Sequence, residues 1–253
     1  MSDAHVMGRT AVVIMAKEPA AGRTKTRLCP PLSPLEAAEL SEALLLDTID
    51  LVSRLTGVRL GVAVTPASAV AAFRVRVPHD ALVLAAEGED IGACLSQITG
   101  QLLAEGASRV MAVNSDGPTL PPAYLEQARA LLDHHDVVLG PSEDGGYYLV
   151  GLRHPAPGIF HGIAWSTARV MAQTLERAAT LGLSVALLPP WYDVDTGADL
   201  ERLRADLRIL PLPTLPSTRR FFDARRADSK AARGAGQMPA ADPLNLPQKE
   251  VSR

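Results

Sequence analysis

The sequence predicts an α/β fold with a mostly parallel central sheet flanked by helices, on three observations. Short, continuous apolar runs recur at Ala11–Ala16, Val58–Val64 and Val110–Val113. They suit strands covered on both faces, as in parallel sheets. Between them lie longer stretches with apolar residues at helical spacing. The two patterns alternate, with few hairpin signals in the first half, which argues for helices on both faces of one sheet.

The composition narrows the field. The chain has 253 residues, 47% hydrophobic and 21% charged, enough for one large α/β domain or two small ones. A net charge of −3 gives no reason to expect a nucleic acid or an acidic membrane as partner. Cys29 and Cys94 are too few for a disulfide framework or a cysteine-rich metal site, and suit a reducing cytoplasm. Arg9 and Lys17 frame the first apolar run, which reads as a strand rather than a signal peptide. No apolar stretch reaches the roughly 20 residues needed to span a bilayer. These features predict a soluble, cytoplasmic protein.

Residues 1–9 read as a lead-in, followed by the Ala11–Ala16 strand. A basic loop at 17–32, KEPAAGRTKTRLCPPL, leads to a helix from about 33 to 55. There Ser33 is the cap, Pro34 the first helical residue and Glu36 the partner that completes a capping box. Val58–Val64 is the second strand, 66–73 a short helix, and 81–85 a short strand. The acidic loop 87–90 leads into a helix over about 91–105, and the Val110 strand follows. Pro121-Pro122 opens a helix ending near 133–135. Val137–Gly140 and Tyr147–Leu152 are strand-like, on either side of PSEDGG. Ser166 or Thr167 is the expected cap of a helix to about Leu181, before a strand over 184–188 and a helix over about 197–207. The main unit is 10–215, with an extension over 216–226. From 227 to 253, little apolar periodicity and much Pro, Gly, Ala and charge predict a disordered tail.

Four places can carry chemistry, each with an ordinary structural reading beside it. Lys17, Arg23, Lys25 and Arg27 share the first loop with Gly22, where cations and backbone N–H groups can wrap phosphates. The same loop also reads as a solvated basic turn, and it lacks the G-x-x-x-x-G-K-[ST] spacing. Asn114-Ser115-Asp116 ends a predicted buried strand, where ligands of open α/β sheets bind. These are also ordinary turn residues. In 141–148, PSEDGGYY, the paired Gly145 and Gly146 permit close approach to a ligand or simply a turn entering a strand, and Asp144, Tyr147 and Tyr148 can contact sugar hydroxyls. Asp193 and Asp195 alternate along an extended segment and so point the same way, which is costly without a cation or proton between them. Thr196 and Asp199 form a capping box, a sufficient structural role for Asp199. The histidines have no zinc spacing, and there is no G-x-S-x-G elbow.

The ordered set KEPAAGRTKTRL (17–28), VNSDGPTLP (113–121), GPSEDGGYYLVGL (140–152), AWST (164–167) and DVDTGADL (193–200) resembles a bacterial family of GT-A-fold proteins. The family is catalogued as domain of unknown function 2064 and labelled as candidate glycosyltransferases. It is related to MobA-like nucleotidyltransferases and phospholactate guanylyltransferases, and the resemblance covers about 10–215. It implies a single GT-A, or nucleotide-diphospho-sugar transferase, domain.

The resemblance also implies roles. Asp116 would bind Mg²⁺ or Mn²⁺ attached to nucleotide phosphates, with Asp195 as second ligand and Asp193 in support. Lys17, Gly22, Arg23, Lys25, Arg27, Asn114 and Ser115 would bind nucleotide and phosphate, Lys25 and Arg27 being the main cations. Asp144, Gly145, Gly146, Tyr147 and Trp165 would shape a sugar or acceptor pocket, with Asp144 a candidate base. The first loop lacks the L-A-G-G-type opening of the nucleotidyltransferases and is closer to the guanylyltransferase version, leaving base preference and reaction class open.

Three functions follow as expectations. The first is a metal-dependent transferase with a nucleotide-sugar donor and a small-molecule acceptor. The second is a nucleotidyltransferase in which an acceptor phosphate attacks an NTP and pyrophosphate leaves. The third is a non-catalytic nucleotide-binding module, which has no need to retain both carboxylates.

Overall fold

The computed structural model describes residues 9–235, with side-chain burial through 227. All but Arg9 of the 1–9 lead-in lies outside the described residues. Seven strands form one sheet: β1 (Thr10–Lys17), β2 (Val58–Thr65), β3 (Leu82–Ala85), β4 (Arg109–Asn114), β5 (Val137–Pro141), β6 (Tyr147–Leu152) and β7 (Val185–Leu187). Their order is β3-β2-β1-β4-β6-β5-β7. Every pairing is parallel except the two made by β6, which runs antiparallel to β4 and to β5. The sheet is therefore mostly parallel, as expected.

Among the described residues seven α-helices complete the fold: α1 (Pro34–Ser53), α2 (Val70–Phe73), α3 (Ile91–Ala104), α4 (Pro122–Leu131), α5 (Val170–Thr180), α6 (Gly197–Ile209) and α7 (Pro216–Ala235). The Val12, Ile14, Met111 and Val113 side chains enter one core, against α1 and α4. Their neighbours Ala11, Val13, Val110 and Ala112 enter the other, against α3 and α5. This period-2 division of continuous apolar strands is what a doubly covered sheet requires. Each of the Val, Ile and Met side chains among them contributes about 1.5–3 kcal/mol by leaving water.

Helix starts follow the sequence closely. The Ser33 hydroxyl accepts from Glu36 N, and Ser33 N donates to the Glu36 carboxylate, making the capping box. Asp90 caps α3 by accepting from Ala93 N at 2.8 Å. The start of α5 differs from expectation. Ser166 has φ 59, and Thr167 spends its hydroxyl hydrogen on Ala164 O, so the helix begins at Val170. Helix α7 carries through the 216–226 extension and into the stretch from 227 where the sequence predicts disorder, as far as Ala235. Its N-terminus is tied to α1 because the buried Asp47 carboxylate accepts from Ser217 N and Thr218 N at 2.9 and 2.8 Å. The rest of the 227–253 stretch lies outside the described residues. Among those residues, no helix is long and apolar enough to cross a membrane.

The carboxyl ends of the parallel strands β1, β2, β3, β4, β5 and β7 lie along one edge of the sheet, and every sequence-predicted site residue but Trp165 lies at a strand end on that edge or in a loop leaving it. Ligands bind at this edge in open α/β sheets.

Candidate active site

The first loop is held from below. Leu28 and Leu32, 0% and 3% exposed, enter a third core with Leu40 and Leu44 of α1 and Leu200 and Leu203 of α6. Thr24 braces the upper turn, accepting from Ala20 N at 3.0 Å and donating to Glu18 O at 3.3 Å. Gly22, with φ 73, makes the turn in a region that favours glycine. Lys17 and Arg23 stay exposed, and Lys17 Nζ donates to Arg23 O.

Lys25 behaves differently. Its backbone is left-handed, with φ 52 and ψ 38. Its side chain, 5% exposed, ends with Nζ 2.9 Å from Asp116 Oδ1 and 2.6 Å from Asp195 Oδ1. Burial pulls the lysine pKa down. The charges of Asp116 and Asp195, reinforced by hydrogen bonds, outweigh it, and the net shift is upward. The ammonium is therefore fixed as a cation.

The two carboxylates reach this point from separate elements. Asp116 follows β4, and its carbonyl accepts from Val194 N at 2.9 Å, which binds the two acidic segments together. A Cβ on Gly117 would lie 3.3 Å from Tyr192 O and 3.4 Å from Asp193 Oδ1, so glycine admits the 192–195 segment. Asp195 stands before the Thr196 capping box of α6, and its N–H donates to Asp199 Oδ2 at 3.2 Å.

Asp193 lies behind them. Its Oδ1 accepts from Asn114 Nδ2 at 2.7 Å and its Oδ2 from Ser142 Oγ at 2.6 Å. Burial pushes its pKa up to about 6; the bonds from Ser142 and Asn114 oppose the rise, and the charges of Asp116 and Asp144 add to it. Both oxygens are engaged by neutral donors, which makes Asp193 a brace between strand ends. Asn114 is correspondingly turned toward Asp193. Ser115 Oγ lies 3.5 Å from Asp116 Oδ1.

Two cavities meet here. The first, about 720 Å³, is lined by Lys17 and the 23–27 stretch of the basic loop, by Ser115 and Asp116, and by the 88–91 segment; Gly22 does not line it. The second, about 550 Å³, is lined by Met15, Ile91, Tyr147 and Trp165, with Asn114, Asp144 and Gly146 at its polar side. Met15, Arg27, Ile91, Ser166 and Asp195 border both. Arg27 forms no ion pair among the described residues. Tyr147 packs edge-on to Trp165, with centroids 6.3 Å apart. Asp144 is turned back, accepting from Gly146 N at 2.9 Å. Gly145 lines neither cavity. It has φ 91, and a Cβ there would fall 2.4 Å from Ala168 O, so it sets the turn.

Sequence reasoning missed Ser142, Met15, Ile91 and Ser166. Ser142 lies inside the quoted 140–152 motif, and its Ser-Glu-Asp run was a usable signal. Ser166 lies inside the quoted AWST motif but reads there only as a helix cap, and Met15 and Ile91 line the cavities only through tertiary approach.

The fit of a hard divalent ion rests on the donor set. Two carboxylate oxygens already converge on one cation, the Lys25 ammonium, and oxygen donors suit Mg²⁺ or Mn²⁺. Among the described residues no group of three His, Cys, Asp or Glu side chains converges, so phosphate and water oxygens would have to complete the shell.

Comparison with known proteins bears on the family. A model of a family described as "Uncharacterized protein conserved in bacteria (DUF2064)" matches residues 48–167. The resemblance read from the motifs stands. The matched stretch takes in Asp116, Asp144 and Trp165, but neither the first loop nor Asp195. A protein of Desulfovibrio desulfuricans G20, described as a candidate nucleotide-diphospho-sugar transferase, is 29% identical with a TM-score of 0.78, over 90% of this chain and 98% of its own. A CMP:2-keto-3-deoxy-manno-octonic acid synthetase solved with CTP is 16% identical with a TM-score of 0.51, over 79% of this chain and 99% of its own. A 4-diphosphocytidyl-2C-methyl-D-erythritol synthase is 14% identical with a TM-score of 0.52, over 78% and 98%. The last two likenesses are of fold. No curated protein matches by sequence. The chain thus has the α/β fold of nucleotide-diphospho-sugar transferases.

Proposed function

We propose that this protein transfers a group from a nucleotide-activated donor to a small-molecule acceptor, and that the donor is a nucleotide sugar. The observation that carries this reading is the pair of contiguous cavities meeting at Arg27 and Asp195. The cation-lined cavity suits a nucleotide diphosphate. The apolar and aromatic cavity, with a few polar groups, suits a sugar or acceptor of drug-like size. The name of the 29%-identical Desulfovibrio desulfuricans G20 protein supports the same class.

In this reading the donor's diphosphate lies between the basic loop and Asp116. Arg27, uncommitted and at the junction, shares the charge that develops on the departing diphosphate. Asp116 and Asp195 would hold Mg²⁺ or Mn²⁺, which would supply further positive charge to the departing diphosphate. Asp193 holds the ends of β4 and β5 in register through Asn114 and Ser142. Trp165 and Tyr147 line the acceptor cavity, with Asp144 at its polar side as the candidate base. Two free cysteines support a reducing, cytoplasmic setting.

A second reading keeps the site and moves the bond that breaks. An acceptor phosphate would attack the α-phosphate of an NTP, with pyrophosphate leaving. The density of cations on one loop, Lys17, Arg23, Lys25 and Arg27, favours it, since a triphosphate carries more charge than a diphosphate. Thermal stabilisation by nucleotide sugars and NTPs, with and without Mn²⁺, separates the two. Metal-dependent stabilisation by nucleotide sugars is expected; stabilisation by NTPs alone would overturn the glycosyl reading.

A further inference from the structure

Lys25 is committed in a way a phosphate-binding lysine is not. Its ammonium touches two carboxylates from different elements and its side chain is 5% exposed. The left-handed backbone at this non-glycine residue is sparsely populated, so the surrounding contacts must hold it there. Leu28 below and the two aspartates ahead supply that hold.

We propose that the Lys25 ammonium and a divalent cation are mutually exclusive occupants of the space between Asp116 and Asp195, and that a nucleotide diphosphate drives the exchange. This rests on the reading of the site as a metal–nucleotide centre. The protein offers two carboxylates at this point and no third acidic, His or Cys ligand among the described residues. A metal entering alone would break both ion pairs of a buried ammonium, since Asp116 and Asp195 are the carboxylates it touches, and that is costly in a poorly solvated place. A diphosphate removes both obstacles. Its oxygens complete the metal shell, and they give the released ammonium a new partner. The cavity that Lys25 borders also carries Lys17, Arg23 and Arg27, so the diphosphate would arrive beside the lysine. Metal and diphosphate therefore bind as a coupled pair, each raising the affinity of the other by the same factor. Lys25 is the resident counter-ion that keeps the two aspartates together until they arrive.

The test is equilibrium dialysis of Mn²⁺ against wild type and Lys25→Met, each alone and with a mixture of ADP, CDP, GDP and UDP on both sides. Wild type should retain Mn²⁺ at least about tenfold more tightly with the diphosphates than without. Lys25→Met keeps the length of the stem but not the charge. It should bind Mn²⁺ alone at least about tenfold more tightly than wild type, and its melting temperature should rise with Mn²⁺ alone while that of wild type does not. Lys25→Gln serves in the same role if the methionine variant does not fold. Equal Mn²⁺ affinity in wild type with and without diphosphates would overturn the coupling. A folded Lys25 variant that gains no affinity for Mn²⁺ alone would overturn the exclusion. If the variant gains Mn²⁺ but no diphosphate binds wild type under any condition, exclusion stands and the nucleotide reading of the site falls.

Discussion

Asn114 donates its side-chain amide to Asp193 across 2.7 Å, joining the end of β4 to a segment 79 residues further along the chain. Ser142, at the end of β5, donates to the other oxygen of the same carboxylate. One charged side chain thus ties three loops at the edge of the sheet where the cavities open.

That brace has a pH signature. A carboxyl whose folded pKa is raised to about 6 contributes most stability below the ordinary carboxylate range, and loses it as pH rises through 6. Asp193→Asn removes the buried charge but cannot accept from both donors as the carboxylate does. Relative to wild type, the variant should gain about 1–3 kcal/mol of stability between pH 4 and pH 7.5. Transfer activity should fall. Urea melts of both proteins at the two pH values check this, and a stability difference independent of pH would contradict it.

The two left-handed glycines of the site should respond differently to alanine. At Gly22 a Cβ meets nothing within 4 Å, so Gly22→Ala carries only backbone strain, about 1–2 kcal/mol. At Gly145 the Cβ would also fall 2.4 Å from Ala168 O. Gly145→Ala should cost clearly more and lower activity by moving Asp144 and Tyr147. Thermal melts of the two variants side by side give the comparison; equal losses would show that the contact with Ala168 relaxes freely.

A third glycine bears on the acceptor cavity. A Cβ at Gly92 would fall 2.5 Å from Trp165 Nε1. Gly92 opens α3 with an ordinary backbone, so Gly92→Ala should leave the helix intact and push the indole instead. We expect a changed tryptophan emission spectrum and a several-fold rise in acceptor KM, with donor affinity little altered. An unchanged acceptor KM would remove Trp165 from the cavity wall.

Much of this architecture was legible because local chemistry decides it. The apolar runs gave β1, β2 and β4, and the Ser33 and Thr196 capping boxes fixed the starts of α1 and α6. The clustering of acidic and basic segments at one sheet edge followed from strand polarity. What was not legible depends on approach across the fold. The reversed direction of β6 follows from the five-residue turn after β5, too short for a parallel crossover, but its insertion between β4 and β5 is not encoded in its own residues. Ser166 and Thr167 look like helix caps, yet one takes a left-handed φ and the other bonds to Ala164 O, delaying α5. Lys25 reads as a phosphate cation in sequence, and only the folded chain brings it to Asp195, 170 positions away.

The most direct measurement is the identity of the leaving group. The purified protein with Mn²⁺ is incubated with nucleotide sugars and with NTPs in the presence of a pool of small-molecule acceptors, and released nucleoside diphosphate and pyrophosphate are quantified. Asp116→Ala serves as the control. It should stay folded, because Lys25 keeps its 2.6 Å contact with Asp195, and it should release neither product. The account predicts nucleoside diphosphate from a nucleotide sugar, dependent on Asp116. Pyrophosphate from an NTP would move the reaction to nucleotidyl transfer, and product release undiminished in Asp116→Ala would contradict the site itself.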